Sequence, residues 1–157
     1  MTFKRISHSA LTLIHVMMPL HANHYGSVHG GTILQWVDEA AYAVASRHAR
    51  CNVVTASLDH MSFKASVRVG DILMLRAALT YVGRTSMEVN VEITTERLTE
   101  GRVLPVGQAY LTMVGLDADG QPAPVPRLQL TSAAERREWR AAERRRALRL
   151  TLAGARA

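Results

Sequence analysis

Two adjacent glycines and one acid are the residues whose types and placement could do chemistry in this 157-residue chain. The stretch His21-Ala22-Asn23-His24-Tyr25-Gly26-Ser27-Val28-His29-Gly30-Gly31 is polar and punctuated by glycine. It runs directly into the longest apolar helical pattern in the sequence. Amides in the first turn of a helix have no intrahelical acceptor and lie at the positive end of its dipole. Gly30 and Gly31, placed there, can receive a carbonyl oxygen that is acquiring negative charge, and glycine lets a ligand approach the backbone closely. Asp38 sits well inside the same apolar pattern, where an unpaired buried charge is costly. A tight turn alone would explain the glycines; a buried carboxylate in the helix they open points to a site.

His21, His24 and His29 crowd the loop, but their spacing fits no zinc pattern, and no metal is expected. His29, immediately before the glycines, is the one placed to reach a ligand. The sequence has no G-x-S-x-G, P-loop, Rossmann fingerprint, H-E-x-x-H or C-x-x-C. Cys51 is the single cysteine, which excludes an internal disulfide and fits a reducing compartment. It follows the end of the helix, at the negative pole of the dipole, a poor place for a thiolate nucleophile. No run approaches the ~18 apolar residues of a membrane span, and no signal peptide is evident. The expectation is a soluble, cytoplasmic protein.

The elements that must position these residues follow from periodicity. Residues 8–18 alternate loosely and read as a strand ended by Pro19. The helix runs from about Gly30 to about Arg47, with Ile33, Val37, Ala40 and Val44 on one face and Leu34, Ala41 and Ala45 beside them, and is expected to be buried. Strands follow over Val53–Phe63, Ile72–Val82, Ser86–Leu98 and Val103–Leu116, joined by short turns such as Gly83-Arg84-Thr85. Long neighbouring strands with short connections pair antiparallel. The fold class is α+β: a long helix wrapped by a curved antiparallel sheet of about five strands.

Pro122, Pro124 and Pro126 end the globular pattern, and residues 131–152 form a further helix with Thr131 or Ser132 as N-cap. Its apolar stripe, Ala134, Ala141, Leu148 and Leu152, is thin, so it reads as a solvated or subunit-capping helix. The net charge of +6 is concentrated here: residues 131–157 hold eight arginines against three glutamates. The high isoelectric point therefore describes an appendage and is weak evidence for nucleic-acid binding. The domain reading is a main unit over 1–128 and a basic helical extension over 129–157.

The pattern Asn23-x2-Gly26-x3-Gly30-Gly31-x6-Asp38 resembles the active-site signature of the hot-dog-fold acyl-CoA thioesterases, in particular their cytosolic acyl-CoA hydrolase branch. The resemblance continues from Phe63 to Val69-Gly70-Asp71 and through Gly83-Arg84-Thr85-Ser86-Met87-Glu88-Val89. It covers about residues 8–126 and leaves out the C-terminal helix. Two positions depart from the branch: His29 stands where it often has an aromatic, and Ser66 where it often has proline.

The resemblance implies hydrolysis of an acyl-CoA to a free acid and CoA, with no cofactor beyond the CoA of the substrate. Asp38 would act as general base or nucleophile, Asn23 would position water or substrate, and the Gly31 amide, with Gly30, would polarise the carbonyl. Arg84, Thr85 and Ser86 would border the CoA channel, with Lys64, His29 and Ser57 as further substrate contacts. Gly31 and Asp38, seven residues apart, are ~10 Å apart along one helix, whereas general-base attack needs a carboxylate within ~3 Å of its water. Two antiparallel copies across a two-fold axis bring one helix start to the other's acid. The expectation is a homodimer with shared sites, assembling further into a tetramer or hexamer. Two alternatives remain open: a hydratase or dehydratase of acyl thioesters, and a non-catalytic acyl-CoA-binding regulator.

Overall fold

The computed structural model describes residues 3–154. The ends of the two expected segments, 1–2 and 155–157, lie outside them, and so does Arg156 of the basic tail. Gly30–Ala49 form the central helix, α1, closed by Arg50 in the left-handed region at φ 59°. Ile33, Trp36, Val37, Ala40, Ala41, Val44, Ala45 and His48 are buried along it. That is one broad stripe at helical spacing, and each fully buried Val or Ile contributes about 2 kcal/mol. Gln35, Asp38, Glu39 and Tyr42 recur at the same spacing on the opposite, exposed face. Asp38 is therefore not buried in the single chain as expected: the sheet wraps one side of α1 and leaves the acid on the other.

The sheet is built from β2 (Leu11–Val16), β3 (Asn52–Leu58), β4 (Ile72–Val82), β5 (Ser86–Arg97) and β6 (Arg102–Leu116), after a short first strand, β1 (Phe3–Arg5). Its order is β2-β4-β5-β6-β3, with every pairing antiparallel. Alternation sets its faces: Leu73, Leu75, Ala77 and Leu79 of β4 and Met87, Val89, Val91 and Ile93 of β5 all turn inward onto α1. Register shifts interrupt the pairings at Leu79/Tyr81, Ile93/Thr94 and Thr55/Ser57. Such bulges increase local twist, which curls the sheet into a half-barrel around the helix. β3 ends at Leu58, five residues short of its expected end, and residues 59–71 form a long loop instead.

The proline-rich stretch does not leave the fold. Val125 and Leu128 are buried, and β7 (Arg127–Gln129) pairs in parallel with β1 in a small second sheet that the alternation pattern did not reveal. Ala133–Gly154 form the last helix, α2. Ser132 Oγ accepts from the Glu135 amide at 3.1 Å while Glu135 accepts from the Ser132 amide at 3.0 Å, a reciprocal cap at the expected place. The same backbone contacts, led by the Thr131 amide, hold the Glu135 carboxyl below its ordinary range.

α2 is docked on the outer face of the sheet, and not through its expected stripe. Leu148 and Leu152 are exposed; Ala142 is fully buried, and the Trp139 ring lies 4.5 Å from that of Tyr81. The anchor is polar. Glu88, in the middle of β5 and 1% exposed, receives Arg145 and Arg149 of α2 at 2.8 Å each and Thr80 at 2.7 Å. Arg149 also reaches Asp59 at 2.6 Å, and the Arg145 guanidinium lies 3.8 Å over the Tyr110 ring. Burial works against the charge of Arg145, but its bonds to Glu88 and Glu138 outweigh this and raise its pKa further.

Candidate active site

The expected site residues fall into three groups. The first is the exposed face of α1 against β3. Thr55 Oγ1 donates to Asp38 Oδ1 at 2.6 Å, joining strand to helix across the edge of the fold. This holds one carboxylate oxygen, while the other has no hydrogen-bond partner among the described residues and Asp38 is exposed. Thr55 has no signature in the sequence reading, because its partner lies 17 positions away and on another element. β3 is an edge strand of the sheet, and Val54, Thr55 and Ala56 on it are exposed.

The second group is the loop entering α1. Asn23 organises that loop: Oδ1 accepts from the Tyr25 amide at 2.9 Å and the Ser27 amide at 3.3 Å, and Nδ2 donates to Ser27 Oγ at 3.1 Å. Gly26 takes the positive φ of 80° that the tight return requires. Asn23 thus touches its own loop and not the Asp38 of its own chain. The three loop histidines separate: His21 packs edge-on to Trp36, His24 lies on Tyr25, and His29 caps α1.

That cap changes the reading of the glycines. His29 Nδ1 accepts the Gly31 amide at 2.9 Å, so the donor expected to meet a carbonyl oxygen is engaged in the unliganded chain. Histidine is not a favoured N-cap, which is why the pattern did not announce it. Gly30 has the first amide of α1, and no acceptor faces it among the described residues. The Phe63 ring from the 59–71 loop lies 3.5 Å from where a Gly30 Cβ would stand, so the helix start is lined by an aromatic wall.

The third group is spread along the β4–β5 connection and the outer face. Arg84 and Thr85 use backbone carbonyls to receive the Val125 and Gly115 amides at 3.0 and 2.9 Å, which pins the hairpin. Ser86 and Ser57 line a cavity between α2 and the sheet. Lys64 is exposed on the long loop, its amide bonded to the Val106 carbonyl at 2.8 Å. Within one chain these residues do not converge with Asp38. Among the described residues no cluster of three or more histidine, cysteine or acidic side chains could hold a metal, and no helix is long and apolar enough to cross a membrane.

A family model described as the thioesterase superfamily matches residues 25–101, which takes in the end of the entry loop after Asn23, α1 and the first long hairpin. A crystal structure of an apo, hexameric acyl-CoA thioesterase superposes with a TM-score of 0.93 at 36% identity, covering 98% of both chains. The chain belongs to the acyl-CoA thioesterase family. The acyl-CoA hydrolase of Staphylococcus aureus, solved with butyryl coenzyme A and coenzyme A, superposes on this thioesterase-family chain with a TM-score of 0.85 at 33% identity, over 98% of this chain and 96% of that one. Aspartate-, asparagine- and threonine-to-alanine variants of that enzyme have also been solved, at TM-scores of 0.85, 0.86 and 0.83. The rat cytosolic acyl coenzyme A thioester hydrolase is 34% identical over 125 residues, 78% of this chain. The chain spans about a third of that protein's length.

Proposed function

We propose that this protein hydrolyses acyl-CoA thioesters to the free acid and CoA in the cytoplasm, without a bound cofactor, as a homodimer whose two sites are each shared between chains. The observation that carries the reading is the Asp38 carboxylate, held at 2.6 Å by Thr55 on an exposed helix face beside an open sheet edge. In the S. aureus hydrolase the asparagine, aspartate and threonine changed to alanine are spaced 15 and 17 residues apart, as are Asn23, Asp38 and Thr55 here. The exposed edge of β3 and the polar face of α1 supply the surface a second copy would cover.

In the proposed reaction Asp38 takes a proton from water as the water oxygen attacks the thioester carbonyl carbon. Charge developing on the carbonyl oxygen is met at the partner's helix start, by Gly30 first and by Gly31 once His29 releases its amide. Asn23 positions the water or substrate. The carbon–sulfur bond then breaks, and the departing thiolate recovers the proton from Asp38. Thr55 is a positioning residue, aligning one carboxylate oxygen so that the other faces the water. The main unit over 1–128 carries this chemistry, with α2 docked on it; dimers would assemble further, as the hexameric thioesterase does.

Mixing variants tests the shared site. Asp38→Ala and Asn23→Ala chains, each inactive alone in a thiol-release assay with acyl-CoA, should recover activity when unfolded and refolded together. A mixed dimer has one site with both residues intact. No recovery in dimers shown to be mixed would place each site within a single chain. No free thiol from wild-type protein across short, medium, long and aromatic acyl-CoAs would remove the hydrolase reading itself.

A further inference from the structure

α2 turns its arginines two ways. Arg145 and Arg149 are engaged by Glu88, Glu138 and Asp59, and the Arg146 guanidinium carbon is 5.9 Å from the Tyr81 ring centroid. Arg136, Arg137, Arg140 and Arg144 are exposed and join no ion pair among the described residues. A helix turns about 100° per residue. With the fully buried Ala142 taken as inward, these four arginines all fall within about 60° of straight outward. Leu148, also exposed, closes the same row. No acid of α2 shares that arc: Glu135 is engaged in the N-terminal cap, Glu138 pairs with Arg145, and Glu143 lies on the flank.

The row is a burden to the helix by itself. Arg136, Arg140 and Arg144 follow one another four residues apart, where like charges repel. Arg136 and Arg137 stand near the positive end of the dipole, where cations are disfavoured. The guanidinium row is ~12 Å long on the helix rise. Beyond it Leu150 and Leu152 are exposed on either side of Leu148, so one surface joins a cationic stretch to an apolar end.

Three kinds of occupant can be compared. A second copy of the chain suits the row poorly, because a two-fold contact sets arginines against arginines. A nucleic-acid duplex offers phosphates to the arginines but leaves the leucines in water. An anionic bilayer serves both parts: headgroup phosphates meet the guanidiniums, and leucines enter the boundary with the acyl chains. We infer that the outward face of α2 docks this protein peripherally on a membrane surface rich in anionic phospholipid. The contact itself is independent of the hydrolase reading; on that reading, it holds the reaction beside the phase into which acyl chains partition.

Co-sedimentation of the full chain with phosphatidylcholine vesicles, with and without one-third phosphatidylglycerol, tests the contact. Wild type should bind the anionic vesicles and not the neutral ones, and raised salt should release it. A variant combining Arg136→Gln, Arg137→Gln, Arg140→Gln and Arg144→Gln should bind several hundredfold more weakly, about fivefold for each arginine. Leu148→Ser should weaken binding by about fivefold. All five side chains are exposed, so both variants should fold as wild type does. Absent binding to anionic vesicles, equal binding to neutral ones, or unchanged binding by the fourfold variant overturns the inference. Unchanged binding by Leu148→Ser reduces the contact to charge and overturns the lipid surface as its occupant. A short DNA duplex bound more tightly than the anionic vesicles in the same buffer would assign the row to nucleic acid and overturn it likewise. Thiol release from acyl-CoA is measured separately, so failure of the hydrolase reading leaves the vesicle result standing.

Discussion

The two long helices cover opposite faces of one sheet and are held there by opposite physics. α1 buries eight residues, all but His48 apolar or aromatic, against the concave face. α2, two residues longer, has Ala142 fully buried among its described side chains and is tied down by arginines converging on one buried glutamate. Apolar burial is non-directional and tolerates an exposed functional face on the other side of the helix. An ion-pair anchor is directional, and its net worth depends on every partner being present. The inner helix can therefore carry chemistry on its free face, while the outer one holds a fixed geometry over the sheet.

Asp38→Ala gives the largest expected effect and separates function from stability on α1. Removing the base should lower thioester turnover about a thousandfold, roughly 4 kcal/mol of transition-state stabilisation. Asp38 lies off the buried stripe of α1, and its hydrogen bond among the described residues is the one from Thr55, so the melting temperature should fall far less than the activity does. A variant that loses activity and stability together would mean that Asp38 is mainly structural.

The buried side of the same helix should behave in reverse. Ile33, 2% exposed, should cost about 3 kcal/mol as Ile33→Ala, through lost transfer energy plus a cavity. Leu148, at an equally helical position on α2 but 63% exposed, should change stability by no more than about 0.5 kcal/mol as Leu148→Ala. Denaturant unfolding of both variants checks the pair. Similar losses would show that α2 is held by apolar contact after all.

That contrast also sorts what could be read from the sequence. The 3.6-residue period of α1 and the alternation of β4 to β6 are local consequences of burial on one face, so both elements and the Gly30-Gly31 helix start were legible. Glu88 was legible only as an outward residue of an alternating strand; nothing local says that an arginine-rich helix 57 residues later lands on it. Thr55 beside Asp38 and His29 on the Gly31 amide were hidden for related reasons. One is a contact between elements, and the other is a local competitor for a donor that pattern alone leaves free. Asp38 stands out by its odd chemistry in an apolar run, but the burial expected from that run is not met, because spacing does not say how far round the helix a sheet will wrap.

Glu88→Gln tests the polar anchor directly. It keeps the shape and the Thr80 contact but removes the charge shared by Arg145 and Arg149. Breaking a buried pair costs about 3–5 kcal/mol, reduced here because the guanidiniums are about a quarter exposed; about 2 kcal/mol is expected. For a domain of this size that is a melting temperature lower by about 6 °C. Trypsin should then cut α2 at its arginines faster than in wild type. An unchanged cleavage rate would show the helix docked without its ion pairs.

pH separates the two helices by a smaller margin. His48, near the end of α1, is fully buried, with Nε2 2.7 Å from the Pro126 carbonyl and Nδ1 without a partner among the described residues. Burial lowers its pKa below the ordinary 6.5, against the pull of the Pro126 carbonyl, and Lys4 adds to the lowering. Well above about pH 6.5 the ring is neutral in both folded and unfolded chains, so it imposes no penalty. As pH falls below that value the unfolded chain takes up a proton that the folded chain refuses, and stability declines toward the folded pKa. Arg145 of the α2 anchor stays charged throughout this window. His48→Gln, which keeps a donor toward Pro126 but cannot charge, should lose stability less steeply than wild type between about pH 7 and pH 5. If the variant loses stability with acid as steeply as wild type, the acid sensitivity belongs to carboxylates elsewhere and not to the buried end of α1.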